Sequence, residues 1–296
     1  MDHYDPATPV DIDHLRGWIG KTQELADEIG TFPARALAAT LDRDDPAPKP
    51  GDALPASAHW LYFLETPRQS ELAVDGHAKK GGFLPPVPLP RRMWAGGRIW
   101  FPGLLRVGDK AIRKSTIKDV TYKEGKSGRL VFVLVEHRIQ VAGKDVIVEE
   151  HDIVYRDMPS SGAAPGAPAP KPQPAPEGAV WSRRVLPDEA MLFRYSALIF
   201  NAHRIHFDRE FTRQDEGYPD LIVHGPLIAT LLMDLGRRSV PGKRMTRFAY
   251  RAVRPSFTDG REMTFQGKPA GDGTADLWAL DQDGFLAMQA DADFGA

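Results

Sequence analysis

The chain has 296 residues, 42% of them hydrophobic, and 38 lysines and arginines face 40 aspartates and glutamates for a net charge of -2. That balance supplies no global attraction to nucleic acid or to an anionic membrane, and no apolar run is long enough to span a bilayer. Cysteine is absent, which excludes disulfides, thiolate metal sites and cysteine nucleophiles and fits a reducing compartment.

Met1 to Val10 carries Asp, His and Pro where a secretory signal would place a basic patch and an apolar stretch, so the expected location is cytoplasmic. Trp18 opens WIGKTQELADEIGTFPARALAATL, a short segment followed by acidic residues and an apolar helical patch. LPASAHWLYFL (Leu54 to Leu64) reads as a histidine-bearing loop leading into an apolar helix. In GGFLPPVPLPRRMWAGG (Gly81 to Gly97) the prolines pre-set an extended loop. Strands are expected in RIWFPGLLRVG (Arg98 to Gly108), GRLVFVLVEHRI and DVIVEEHDIVYR. Residues 158–179, MPSSGAAPGAPAPKPQPAPEGA, have nothing to bury and too much proline for a helix, so they read as a linker between residues 1–157 and 180–296.

The second half repeats the order of the first. Trp181 opens WSRRVLPDEAMLFRYSALIF, and DLIVHGPLIATLL (Asp220 to Leu232) again leads from a histidine into an apolar helix. RFAYRAVRPSFTDG (Arg247 to Gly260), REMTFQGKP, TADLWALDQ and FLAMQADADF follow as strands, with a hairpin signal at Asp283-Gly284. An apolar helix followed by antiparallel strands, made twice, predicts an α+β double hotdog, two antiparallel sheets each wrapped around a central helix. Two unrelated α+β domains are the alternative.

YSALIFNAHRIHFDREFTRQDEGYPDLIVHGPL, Tyr195 to Leu227, gathers Asn201, His203, His206, Asp208 and His224. A zinc ion would need a third ligand beside His203 and His206, which Asp208 or His224 can supply; the other readings are proton transfer and plain structural histidines. Pro226 suits the first turn of a helix, which leaves the Gly225 amide free either to cap that helix or to polarise a carbonyl.

NAHRIHFD followed by EGYPDLIVHGPL resembles the MaoC-type, or R-specific, enoyl-CoA hydratases, with His206 on the family histidine and Asn201 on the family Asp. GGFLPPVPLPRRMWAGG is similar to the N-terminal domain of their two-hotdog subgroup, which includes the mesaconyl-C4-CoA (3-methylfumaryl-CoA) hydratases and the hydroxyacyl-thioester dehydratases type 2. The resemblance implies a substrate-binding first hotdog and a catalytic second one. It implies a hydro-lyase that adds water reversibly to an enoyl-CoA, of which a short branched dicarboxylyl thioester such as 3-methylfumaryl-CoA, giving citramalyl-CoA, is the expected example. No cofactor and no metal are implied.

On that resemblance the Gly225 amide polarises the thioester carbonyl and His206 moves the proton. Asn201 has no titratable form, so either His206 works alone while Asn201 orients water, or Asp208 or His203 takes the missing role. His203, His224, Tyr218 and Arg204 are candidates for substrate binding, and Arg91 and Arg92 for a substrate carboxylate. Arg183, Arg184, Arg194, Arg204, Arg237 and Arg238 are candidates for the phosphates of coenzyme A. A hotdog thioesterase and a non-catalytic acyl-CoA-binding protein are the rivals, the latter favoured by Asn at the Asp position. The partner expected is an acyl-CoA thioester, with no nucleic acid and no membrane, and an exposed sheet edge on each hotdog allows a homo-oligomer.

Overall fold

The computed structural model describes residues 8–125, 128–157 and 172–295, so residues 158–171 of the expected linker lie outside the described residues. The first half runs α1 (Ile12–Arg16), β1 (Thr22–Glu28), α2 (Thr31–Thr40), β2 (Arg91–Trp100), β3 (Lys110–Gly125), β4 (Gly128–Val141) and β5 (Lys144–Arg156). The second runs β6 (Trp181–Val185), α3 (Glu189–Leu198), α4 (Arg209–Gln214), α5 (Gly225–Ser239), β7 (Arg244–Ala252), β8 (Met263–Gly271), β9 (Thr274–Leu280) and β10 (Leu286–Gly295). Among the described residues no helix is long and apolar enough to cross a membrane.

The α+β double hotdog forms, with one feature that the separate patterns did not reveal. All ten strands share one sheet in the order β1-β3-β4-β5-β2-β7-β10-β9-β8-β6, so the two five-stranded halves meet edge to edge. The seam is antiparallel, from Gly96 opposite Arg251 to Trp100 opposite Arg247. Glycine is what permits it: a Cβ on Gly96 would stand 2.5 Å from the Tyr250 carbonyl oxygen.

α5 is the central helix of the second half. Leu227 to Gly236 are buried without a break, as expected of a helix covered on all sides rather than along one stripe. Pro226 sits in its first turn, and Pro241-Gly242 follow its end. In the first half LPASAHWLYFL makes a six-residue 3₁₀ helix (Ala56–Leu61) in place of the long helix expected there and then turns at Phe63, where φ is 56°. Strands β1, β3 and β6 join the strands expected from pattern, β2 begins at Arg91, inside the stretch read as a proline-set loop, and the strands expected over Arg98 to Gly108 and Arg247 to Gly260 end at Trp100 and Ala252.

Candidate active site

The NAHRIHFD segment is a tight loop between α3 and α4. Phe200 turns the chain at φ 48°, and the Asn201 side-chain oxygen accepts the His203 amide at 2.9 Å. That bond fixes the 3₁₀ turn Arg204–His206, which carries His206 inward. Asp208 is spent on local structure, accepting the Phe211 amide at the start of α4 and pairing with Arg204 at 2.7 Å.

His206 is 7% exposed. Its Nδ1–H donates to the Ile222 carbonyl at 2.7 Å, which leaves Nε2 as the nitrogen able to take a proton. Burial pushes its pKa down to about 4 against the opposing pull of the carbonyl, so the ring is neutral at pH 7. It stacks on His224, centroids 3.6 Å apart and planes 18° apart. His224 precedes α5 and hydrogen-bonds the Ser196 hydroxyl through Nε2 at 2.8 Å, while its buried Nδ1 has no protein partner. Burial first, then His206 and His203, hold His224 well below the ordinary imidazole range. The adjoining Gly225 opens the 15-residue helix α5, so its amide has no acceptor within the helix and lies at the positive end of the dipole. The Trp94 ring of β2 packs against the α-carbon side of this glycine, 3.5 Å from where a Cβ would stand.

The first half contributes a second cluster. The Arg204 amide donates to the Asp75 carbonyl at 2.9 Å, docking the Asp75-Gly76-His77 loop on the His203 turn. His77 Nδ1–H donates to the Asp75 carboxylate at 2.8 Å. The His77 and His203 rings lie 3.9 Å apart, and His203 presents an edge to His206 at 5.5 Å. Burial and then the Arg92 charge push His77 down; burial and then the other two histidines push His203 down. One ligand atom from each of Asp75, His77 and His203 lies within 4.8 Å of the others, a span a metal ion could use. The surroundings do not suit a cation, because Arg92 and Lys80 both act on His77.

The arginines divide into committed and available. Arg91 is buried, donates to the Glu216 carbonyl, pairs with the Glu216 carboxylate at 3.3 Å and lies 4.9 Å over the Tyr218 ring. Arg92, beside it on β2, has no carboxylate partner among the described residues, and its charge acts on His77, His203 and Tyr155. Arg92 and Trp94 are two apart on one strand and so share a face, the face that covers Gly225. Arg204 lies 4.0 Å over Phe211. Arg183, Arg237 and Arg238 converge with Arg43 on buried Asp234, at 3.1, 2.8, 2.9 and 2.6 Å respectively. At 1.5 Å per residue, Arg237 is about 18 Å along α5 from Gly225. Arg184 lies 3.9 Å from Glu262, with its side chain largely exposed, and Arg194 is exposed.

Sequence reading passed over Asp75, His77 and Trp94, and also a buried network in the first half. Glu149 accepts from His59 Nε2 at 3.0 Å, Trp60 Nε1 at 2.8 Å and His151 Nε2 at 2.6 Å. Burial would raise its pKa, but His151 and His59 outweigh burial and hold it well below the carboxylate range. The chain continues from His151 through His137 to Ser115. A cavity of about 310 Å³ borders this network and reaches Trp94, Ile199 and Pro226. A signal was present, since Glu149 and His137 interrupt strands that are otherwise rich in valine and isoleucine.

Two hotdogs in one sheet, with a buried imidazole stacked on the residue before a helix-opening glycine, lead to the hotdog hydratase and dehydratase class, to which the family comparison assigns the chain. The family model for hydroxyacyl-thioester dehydratase type 2 matches residues 57–258, and the chain belongs to that family. It is 44% identical over 281 residues to mesaconyl-C(4)-CoA hydratase of Chloroflexus aurantiacus, covering 94% of this chain and 97% of that protein. Two solved structures share the fold. A MaoC-like dehydratase from Phytophthora capsici superposes with a TM-score of 0.68 at 12% identity, over 97% of this chain and 98% of that one. A Mycobacterium tuberculosis protein with a double hotdog fold gives 0.59 at 14% identity, over 97% and 98%.

Proposed function

We propose that this protein hydrates the double bond of an enoyl-CoA thioester, with mesaconyl-C4-CoA, which gives citramalyl-CoA, as its substrate. The observation that carries the reading is His206: buried, neutral, its Nδ1 spent on a carbonyl, and stacked on the residue that precedes the Gly225 amide. The thioester oxygen accepts from that amide, so charge developing on the enolate oxygen meets a fixed dipole. Water adds at the β-carbon, next to His206. Asn201 serves by shaping the loop, because its oxygen is bonded to His203.

The extensive identity to mesaconyl-C(4)-CoA hydratase supports the substrate, and so does Arg92. In mesaconyl-C4-CoA the second carboxylate is attached to the carbon that receives water, so a cation must stand near His206. Arg92, two residues from Trp94 on the face that covers Gly225, has no carboxylate partner among the described residues. Residues 1–157 then act as the hotdog that encloses substrate and residues 180–296 as the one that carries His206, in a cytoplasmic enzyme. Strands β1 and β6, at the two ends of the sheet, are the edges through which two chains would pair.

The test is to incubate the protein with mesaconyl-C4-CoA and with crotonyl-CoA, following enoyl-thioester absorbance and free thiol together, beside His206→Ala. Loss of absorbance without thiol, abolished in the variant, is expected. Thiol release would reassign the protein as a thioesterase, and silence in both channels would make it a binder.

A further inference from the structure

Asn201, in the loop that carries His206, ends in an amide that neither takes nor gives a proton. Asp208 is the nearest carboxylate in sequence, and it is committed to Arg204 and to the start of α4. A carboxylate does stand in the site, but it comes from the other half of the chain. We infer that Asp75 and His77 are the second proton-transfer unit of the reaction, supplied by the first hotdog to complete a dyad that the second lacks. The inference rests on the hydratase reading.

Three observations carry it. The Asp75-Gly76-His77 loop is seated on the His203 turn by the Arg204 amide bond to Asp75 and by a contact at Gly76 so close that no side chain fits. His77 donates Nδ1–H to Asp75, so its Nε2 is a lone-pair nitrogen whose partner across the ring is a carboxylate. His77 and His206 both contact His203, at 3.9 and 5.5 Å from its ring, and the His77 charge is felt at His206. Asp75, Arg92 and Lys80 all act on His77, which in turn acts on His203 and His206.

The two imidazoles differ in what stabilises a proton once taken. The far nitrogen of His206 faces a neutral carbonyl, and that of His77 a carboxylate. A hydrogen bond with a charged partner is roughly twice as strong as a neutral one, and by this bond Asp75 opposes the burial and the Arg92 and Lys80 charges that act against a proton on His77, so His77 can hold the proton through the reaction. The step then balances with one water. His206 Nε2 accepts one of its hydrogens as a hydrogen bond and keeps it in place. His77 Nε2 removes the other as a proton, the oxygen bonds to the β-carbon, and the π pair moves through the α-carbon onto the thioester oxygen at the Gly225 amide. As the carbonyl reforms, the α-carbon takes the proton back from His77, and both rings end neutral.

The experiment uses the full chain with Asp75→Asn and His77→Ala, measuring kcat and KM on mesaconyl-C4-CoA, binding of the unreactive thioester butyryl-CoA, and rescue by free imidazole. Expected are a kcat loss of about 100-fold or more in both variants, butyryl-CoA binding unchanged, and partial recovery of His77→Ala with imidazole that follows the free-base fraction. A kcat near the wild-type value in both variants overturns the inference. So does a loss that tracks weakened butyryl-CoA binding and is not rescued, since that marks a structural loop. Histidine-resolved NMR gives a readout free of turnover: butyryl-CoA perturbing both the His77 and His206 rings supports the inference even if no thioester is hydrated, and perturbation of His206 alone overturns it. Failure of wild-type turnover therefore sinks the hydratase reading separately.

Discussion

His206 and His224 lie ring on ring, 3.6 Å apart and nearly parallel, with both buried. A proton on either ring repels one on the other, and burial disfavours both. The folded His206 titrates at about 4, below the ordinary value of 6.5, so between those values the unfolded chain binds the proton more readily. Stability should therefore be independent of this residue above pH 6.5 and should fall as pH drops toward 4, by about 3 kcal/mol in all. Denaturant unfolding at a series of pH values, wild type against His206→Gln, tests this: a slope of equal steepness in the variant would refute it.

Arg91 and Arg92 are adjacent, but substituting them should have different effects. Arg92→Ala is expected to lower kcat/KM for mesaconyl-C4-CoA by about 10- to 100-fold, the worth of one charged hydrogen bond, and to spare crotonyl-CoA, which has no second carboxylate. Arg91→Ala strands Glu216 and uncovers Tyr218, so it should cost about 3 kcal/mol or more of stability and affect both substrates alike. Steady-state kinetics on the two thioesters, with thermal melts alongside, separates these outcomes.

Gly76 has φ +89°, and a Cβ there would stand 1.8 Å from the Ala202 carbonyl oxygen. Gly76→Ala must push the two loops apart, in addition to a backbone cost of about 1–2 kcal/mol. Enhanced proteolysis or amide exchange over residues 71–80, with little change in the sheet, is the expected signature. An unchanged exchange pattern would mean that the loops are not held together at this point.

Glu149 is buried and collects three donors. Glu149→Leu leaves His59, Trp60 and His151 facing an apolar group and should destabilise the protein by about 3–5 kcal/mol. Glu149→Gln keeps one acceptor oxygen and should lose less. Equal losses in the two variants would show that packing volume, not hydrogen bonding, sets the effect.

Much of the fold was legible because strands β4, β5, β8, β9 and β10 alternate or run apolar, and because DLIVHGPLIATLL carries a proline at the first turn of a long buried helix. β3 was missed because its outward positions are Lys110, Ile112 and Lys114 and its inward ones include Ser115, which hides the period. LPASAHWLYFL looked helical by composition, yet Pro55 at its start and the turn at Phe63 leave room for only two 3₁₀ turns. Around His206, Asn201 and Gly225 the segment announced itself, because those residues lie within one short span. Asp75 and His77 did not, since their meaning depends on a contact across 126 positions, from His77 to His203, that no local period encodes. The uses of Arg183, Arg237 and Arg238 were invisible for the same reason: Asp234 gathers them only in three dimensions.

The seam between β2 and β7 has a consequence for how the enzyme behaves on dilution. If two separate subunits met at such a seam, lowering their concentration would pull the site apart. Here the two edges belong to one polypeptide, and tethering on this scale corresponds to a local concentration of about millimolar. Specific activity should therefore stay constant far below the concentration at which any assembly through β1 or β6 has come apart.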